Sequence, residues 1–150
     1  MKKSIIIAAL FIGFALCTTS CSKEATAQTQ ISINNFVATY FPNEEVIATI
    51  RDGFDYDVTL SDYTQIEFDG NIAGKKLEWD EVNCKHSTIY TAVPAALIPT
   101  EIADHVSRLH SEQRIVKIAK DFRGWEIELS NGLEITFDAN FNVTGFDDKK

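Results

Sequence analysis

Three sets of side chains in this 150-residue sequence have types and spacings that could do chemistry. Cys21 closes Thr18-Thr19-Ser20-Cys21, small residues ahead of a cysteine just after an apolar run. That is the arrangement of a lipoprotein processing site, where cleavage before Cys21 frees its amine and its thiol is acylated. Cleavage after Ala25-Thr26-Ala27 is the competing small-x-small site, and would leave a long polar gap behind the run. Cys84 alternates with His86 in VNCKHST, a C-x-H pair able to ligate a metal. A structural zinc site needs four ligands and the neighbouring sequence offers no third or fourth, so Cys84 reads as a small buried strand residue. The third set is acidic: Asp55, Asp57, Glu126 and Glu128 could collect calcium, yet they lack the loop spacing of a dedicated site. No metal and no cofactor is expected.

Catalytic patterns are missing. The sequence holds no G-x-S-x-G, no H-E-x-x-H, no phosphate-cradling glycine loop and no C-x-x-C. Two of its three histidines, His105 and His110, are five apart, which is not the i, i+4 spacing of a helical metal pair. Carboxylates on a solvated strand face keep ordinary pKa values and make poor general acids at neutral pH. The reading is a protein that is not an enzyme.

The elements that position these residues centre on Ile115–Asp138, IVKIAKDFRGWEIELSNGLEITFD, which predicts three antiparallel strands. Trp125, Ile127 and Leu129 alternate with Glu126, Glu128 and Ser130, so one face is buried and one is wet. Asn131-Gly132 fits a two-residue type I′ hairpin turn. Shifted by 69 residues, Val46–Asp69 lies over the same stretch without a gap. Over Ile31–Asp69 against Thr100–Asp138, eight of 39 positions are identical, among them Asp52/Asp121, Leu60/Leu129, Phe68/Phe137 and Asp69/Asp138. An internal repeat implies two copies of one supersecondary unit. In the first copy Asp62-Tyr63 replaces Asn131-Gly132. Tyrosine suits a left-handed backbone poorly, so either the turn changes type or Tyr63 is held there at a cost.

Each copy opens with an apolar stripe at helical spacing: Ile33, Phe36, Val37, Tyr40 and Phe41, then Ile102, His105, Val106, Leu109 and His110. Both histidines read as satisfied core or boundary residues. A fourth strand is predicted at Lys75–Trp79 in the first copy and Asn142–Phe146 in the second. The organisation expected is a signal peptide at 1–20, a flexible tether at 21–30, repeats at 31–80 and 95–148, and an inter-repeat segment at 81–94. Tyr56, Val58, Leu60, Trp125, Ile127 and Leu129 are the expected core. Two such units of about fifty residues are too small to stand alone and would share one core.

Lys2-Lys3 followed by the twelve apolar residues Ile5–Leu16 predicts export, since the run is too short for a permanent membrane span. Losing Met1–Ser20 removes two lysines and no acids, taking the formal charge from −8 to −10. Such a surface repels nucleic acid and anionic lipid, so membrane attachment would come from the acyl chains at Cys21. After that processing only Cys84 keeps a free thiol, and no disulfide framework is possible.

The pattern of an apolar helix, then IVKIAKD, then WEIELSNGLEITFD resembles the PepSY-like, beta-lactamase-inhibitor-like family of exported bacterial proteins. The match is best over Val93–Asp138 and weaker over Gln30–Trp79, where Asp62-Tyr63-Thr64 departs from the N-G turn. The resemblance implies an α+β fold, a tandem repeat of a helix plus an antiparallel four-stranded meander, with an architecture similar to that of a protein inhibitor of β-lactamase. It implies no catalytic residues. The function expected is a non-enzymatic binding module of the periplasm or outer membrane, anchored as a lipoprotein and possessing a protein partner, with inhibition of an exported enzyme as one form of that role. The runner-up is a lipoprotein that binds a small ligand or a cation on its acidic sheet face. The surface expected to meet the partner carries Asp57, Glu67, Glu126, Glu128 and Glu134, with Tyr63 at its rim.

Overall fold

The computed structural model describes residues 27–70, 77–86 and 90–148. The expected signal peptide, Cys21 and most of the expected tether lie outside the described residues. Helix α1 (Ala27–Tyr40) precedes strands β1 (Val46–Asp52), β2 (Asp55–Leu60), β3 (Gln65–Asp69) and β4 (Glu78–Asn83). A 3-10 turn at Ala95–Leu97 leads to α2 (Thr100–Leu109), then β5 (Ile115–Asp121), β6 (Gly124–Leu129), β7 (Leu133–Asp138) and β8 (Val143–Asp148). All eight strands form one antiparallel sheet in the order β1 to β8. The fold is α+β. Where two sheets side by side are expected, β4 pairs with β5 (Val82 opposite Ile118), and the sheet runs unbroken.

Alternation decides the faces. Tyr56, Val58, Leu60, Ile66, Phe68, Val82, Ile118, Ile127, Leu129, Ile135 and Phe137 are buried on one face in a single cluster. Helix α1 adds Ile33 and Val37 to it, and α2 adds Ile102 and Val106. Burial of these side chains, at about 25 cal/mol per Å² of apolar surface, is the main force holding the helices on the sheet. Trp125 is not in this core but half-buried at its margin, tilted against Trp79 with ring centroids 6.1 Å apart.

Three boundaries differ from the sequence reading. The helix begins at Ala27, so Ala27–Gln30 of the expected tether is helical. Strand β4 runs at Glu78–Asn83, past the expected end at Trp79, because a register shift opposite Glu67 and Phe68 interrupts the alternation of EWDEVN; Lys75 and Lys76 of the expected strand lie outside the described residues. Strand β8 extends to Asp148. Among the described residues no helix is long and apolar enough to cross a membrane.

The hairpin turns hold a further difference. Asn131-Gly132 does not form a type I′ turn, for only Gly132 has positive φ (88°). The Gly132 N–H donates to the Leu129 carbonyl at 2.9 Å, and the Asn131 side chain accepts from the Leu133 N–H at 3.2 Å. This is an ordinary turn followed by one left-handed residue. The β2–β3 turn copies it: Tyr63 N–H donates to the Leu60 carbonyl at 2.8 Å, and Asp62 accepts from the Thr64 N–H at 2.9 Å. Tyr63 takes the glycine's place at φ 68°.

Candidate functional site

The face turned away from the helices carries the expected partner surface. Register places Asp57, Glu67 and Glu81 directly opposite one another on β2, β3 and β4. Like charges in direct cross-strand register repel. Partial burial, then the charges of Asp57 and Glu81, push the Glu67 carboxyl above its ordinary range. Asp80, one residue before Glu81, is likewise raised, first by burial and then by Asp69. Beside the row, Ile50 is exposed on the edge strand, and with Asp57, Thr59, Gln65, Glu67 and Glu81 it outlines a depression of about 350 Å³.

Towards β5 the charge is balanced. Lys117 stands 3.1 Å from Glu81 and 3.9 Å from Glu126. Further on, Glu128 and Glu134 face each other across β6 and β7. Both were expected on a solvated face, yet they are only 6% and 8% exposed. Lys85, on the segment that leaves β4, reaches over to ion-pair with Glu128, and its ammonium also lies 6.0 Å from the Tyr90 ring. An antiparallel bridge pairs Lys85 with Tyr90, and Val116 is buried outside the main cluster. Strand alternation cannot reveal cover supplied by a distant crossover. The acidic surface is therefore divided: Asp57 and Glu67 are open, Glu126 is half-buried and paired, and Glu128 with Glu134 is enclosed.

Tyr63 stands at the rim as expected, 69% exposed. Its ring meets His86 edge-on at 6.4 Å, and His86 Nε2 lies 3.9 Å from an Asp62 carboxylate oxygen. Two residues earlier Cys84 is buried, and burial pushes its thiol up to about 11, the range of an inert core thiol. Among the described residues no three His, Cys, Asp or Glu side chains gather to hold a metal ion. His105 packs edge-on against Phe137 at 5.4 Å, but its Nε2 is buried without a hydrogen-bond partner, unlike the satisfied residue expected. Burial, then the nearby His110 and Arg108 charges, hold its pKa below the usual value. Sequence reasoning missed Glu81 and Lys85; placing β4 three residues later would have put Glu81 and Asn83 in step with Glu67 and Gln65.

An eight-stranded meander with helices on one face and a charged open face on the other defines a class of sheet-faced α+β modules. The family model described as "Putative beta-lactamase-inhibitor-like, PepSY-like" matches residues 26–73 and 54–144, and the chain belongs to that family. A "putative periplasmic protein" of Bacteroides vulgatus is similar at 38% identity and TM-score 0.66, covering 77% of this chain and 87% of its own. A "putative calcium-regulated periplasmic protein" of Bacteroides thetaiotaomicron is similar at 30% identity and TM-score 0.66, covering 78% and 88%. A second Bacteroides vulgatus protein, a "putative periplasmic protein of unknown function", shares 28% identity over 79% and 90% at TM-score 0.66. No curated protein matches the chain. The periplasmic descriptions support export, and none of them names an enzymatic activity.

Proposed function

We propose that the chain is an exported, non-enzymatic binding module that holds a basic protein partner against the open half of its sheet. The two α–β halves are read as tandem copies of one unit, and Cys21 as the acylated anchor that keeps the module at the envelope. One observation carries the reading: the Asp57–Glu67–Glu81 row, in which Asp57 and Glu67 have no ion pair among the described residues. Such a row costs stability in the free protein and gains it back when lysine or arginine side chains arrive. Ile50 and Tyr63 supply apolar contacts at its margins. Inhibition of an exported enzyme is one form this docking would take. A photocrosslinking residue at position 57 or 67 should trap one defined envelope protein, less so at high ionic strength. Adducts that form equally from position 103, exposed on α2, or from neither sheet position, would refute the assignment.

A cation is the second reading, favoured by the description of the 30% identical relative as calcium-regulated. Calcium takes six to eight oxygens, and the described side chains gather no such set, so this reading ranks lower. Calorimetric titration of the protein with calcium decides it. Heat that saturates, and that disappears in Glu67→Gln, would move this reading ahead of the first.

A further inference from the structure

On the opposite side of the sheet from the acidic row, the two helices pack on different strands. Helix α1 meets β3 through Phe36, edge-on to Phe68 at 5.1 Å, while α2 meets β7 through His105 on Phe137. Level with Phe68 and Phe137, the helix-side residues of the strands between them are Trp79, Lys120 and Trp125, all half-buried. A cleft of about 570 Å³ opens along α1 there, within the usual range of small-molecule sites. Its apolar wall is Phe36, Tyr40, Phe68 and Trp79, and its polar lining includes Asn35 and Glu78. The α1 residues that line it, Ser32, Asn35, Phe36, Thr39 and Tyr40, recur at helical spacing beside the core stripe of Ile33 and Val37.

We propose that this cleft binds a neutral saccharide. Ligand classes separate on the chemistry of the walls. A purely apolar ligand would cover the aromatic wall but leave the exposed Asn35 amide and Glu78 carboxylate at the rim unused. An anion would find one ammonium, Lys120, already seated 4.5 Å over the Trp79 ring and close enough to Asp80 to offset part of the rise in its pKa, with Glu78 repelling from the wall. A sugar ring offers what the walls lack: an apolar face of C–H bonds to lie on an indole or phenol, and hydroxyls around its edge for Asn35, Thr39 and Glu78. This site is independent of the acidic row and stands whether or not a protein docks there.

The chain has two tryptophans, Trp79 in the cleft wall and Trp125 beside it, so intrinsic fluorescence reads the site directly. Purified protein is titrated with maltotriose, cellotriose and chitotriose, in parallel with calorimetry. A saturable fluorescence change with one of them is expected, weakened at least tenfold in Trp79→Ala and Tyr40→Ala. Asn35→Ala, exposed on α1 and harmless to folding, should weaken it several-fold, while Tyr63→Ala should leave it unchanged. Silence with all three sugars at millimolar concentration overturns the proposal. So does binding that persists unchanged in the Trp79, Tyr40 and Asn35 variants.

Discussion

Tyr63 and Gly132 lie 69 residues apart, in two hairpin turns with the same hydrogen bonds and the same left-handed backbone. For glycine that conformation is free; for tyrosine it costs about 1–2 kcal/mol. The flanking strands and the Asp62 or Asn131 side chain fix the geometry, and the residue at the tip must accept it. The strain at Tyr63 accompanies exposure, not packing. The carboxylates show a second contrast between the halves. Asp57 and Glu67 are open to solvent, whereas Glu128 and Glu134 are buried, Glu128 against Lys85 of the segment that leaves β4. One half of the sheet displays its acids and the other encloses them.

The largest test of this contrast lies in the aromatics at matched positions. Tyr56 is 5% exposed, while Trp125 is half-buried beside the cleft. Tyr56→Ala should cost roughly 3–5 kcal/mol and Trp125→Ala about half of that, read from urea midpoints. Equal losses would mean that Trp125 is packed as fully as Tyr56. Next comes an exchange of the turns. Gly132→Ala should destabilise by about 1 kcal/mol and Tyr63→Gly should stabilise by a similar amount. A loss in both would show that the Tyr63 ring is held by contacts worth more than its strain. Third, Glu128→Gln should cost about 1 kcal/mol, a figure kept low because Lys85 is well exposed, and Glu126→Gln no more than about 0.5 kcal/mol.

The smallest effects are those of pH. His105 has a depressed pKa, so the unfolded chain takes up its proton first and stability falls as pH drops through the ordinary histidine value of about 6.5. His105→Phe, which installs the residue found at Phe36, should flatten that slope. Glu67 runs the other way: its raised pKa means the folded chain protonates first, so its penalty grows as pH rises through the folded value. Glu67→Gln should raise the denaturation midpoint slightly at pH 7 and leave it unchanged well below the carboxylate range. A stabilisation that persists there would place its origin outside charge repulsion.

How much of this was legible depends on whether a residue's surroundings are local. The strands around Tyr56 and Ile127 were readable because alternation reports a face directly, and the stripes of α1 and α2 because Ile33, Val37, Ile102 and Val106 repeat at helical spacing. Asn131-Gly132 misled because two turn types accept that dipeptide, and only Gly132 needs the left-handed region in the one that forms. Ala27–Gln30 lacks large apolar residues yet is helical, since helix formation there needs no buried stripe. The enclosure of Glu128 depends on Lys85, 43 residues away in sequence, and no pattern within β6 encodes it.

The strand order has a consequence for assembly. Every strand in this sheet pairs only with its neighbours in sequence, so apart from the β4–β5 pairing across α2 none has to wait for a distant part of the chain. Closing short loops is cheap in entropy, and proteins dominated by such contacts fold quickly for their class. A polypeptide that emerges N-terminus first, from a ribosome or through a translocation channel, can then zip up in the order of its emergence. Each new strand finds its template already in place, and beyond the outer edge of β1 only the growing edge is exposed to wrong partners. The β4–β5 seam is crossed after α2 has emerged, so the second half docks as a hairpin-by-hairpin extension of the first. Truncation after β4 would leave that growing edge permanently open.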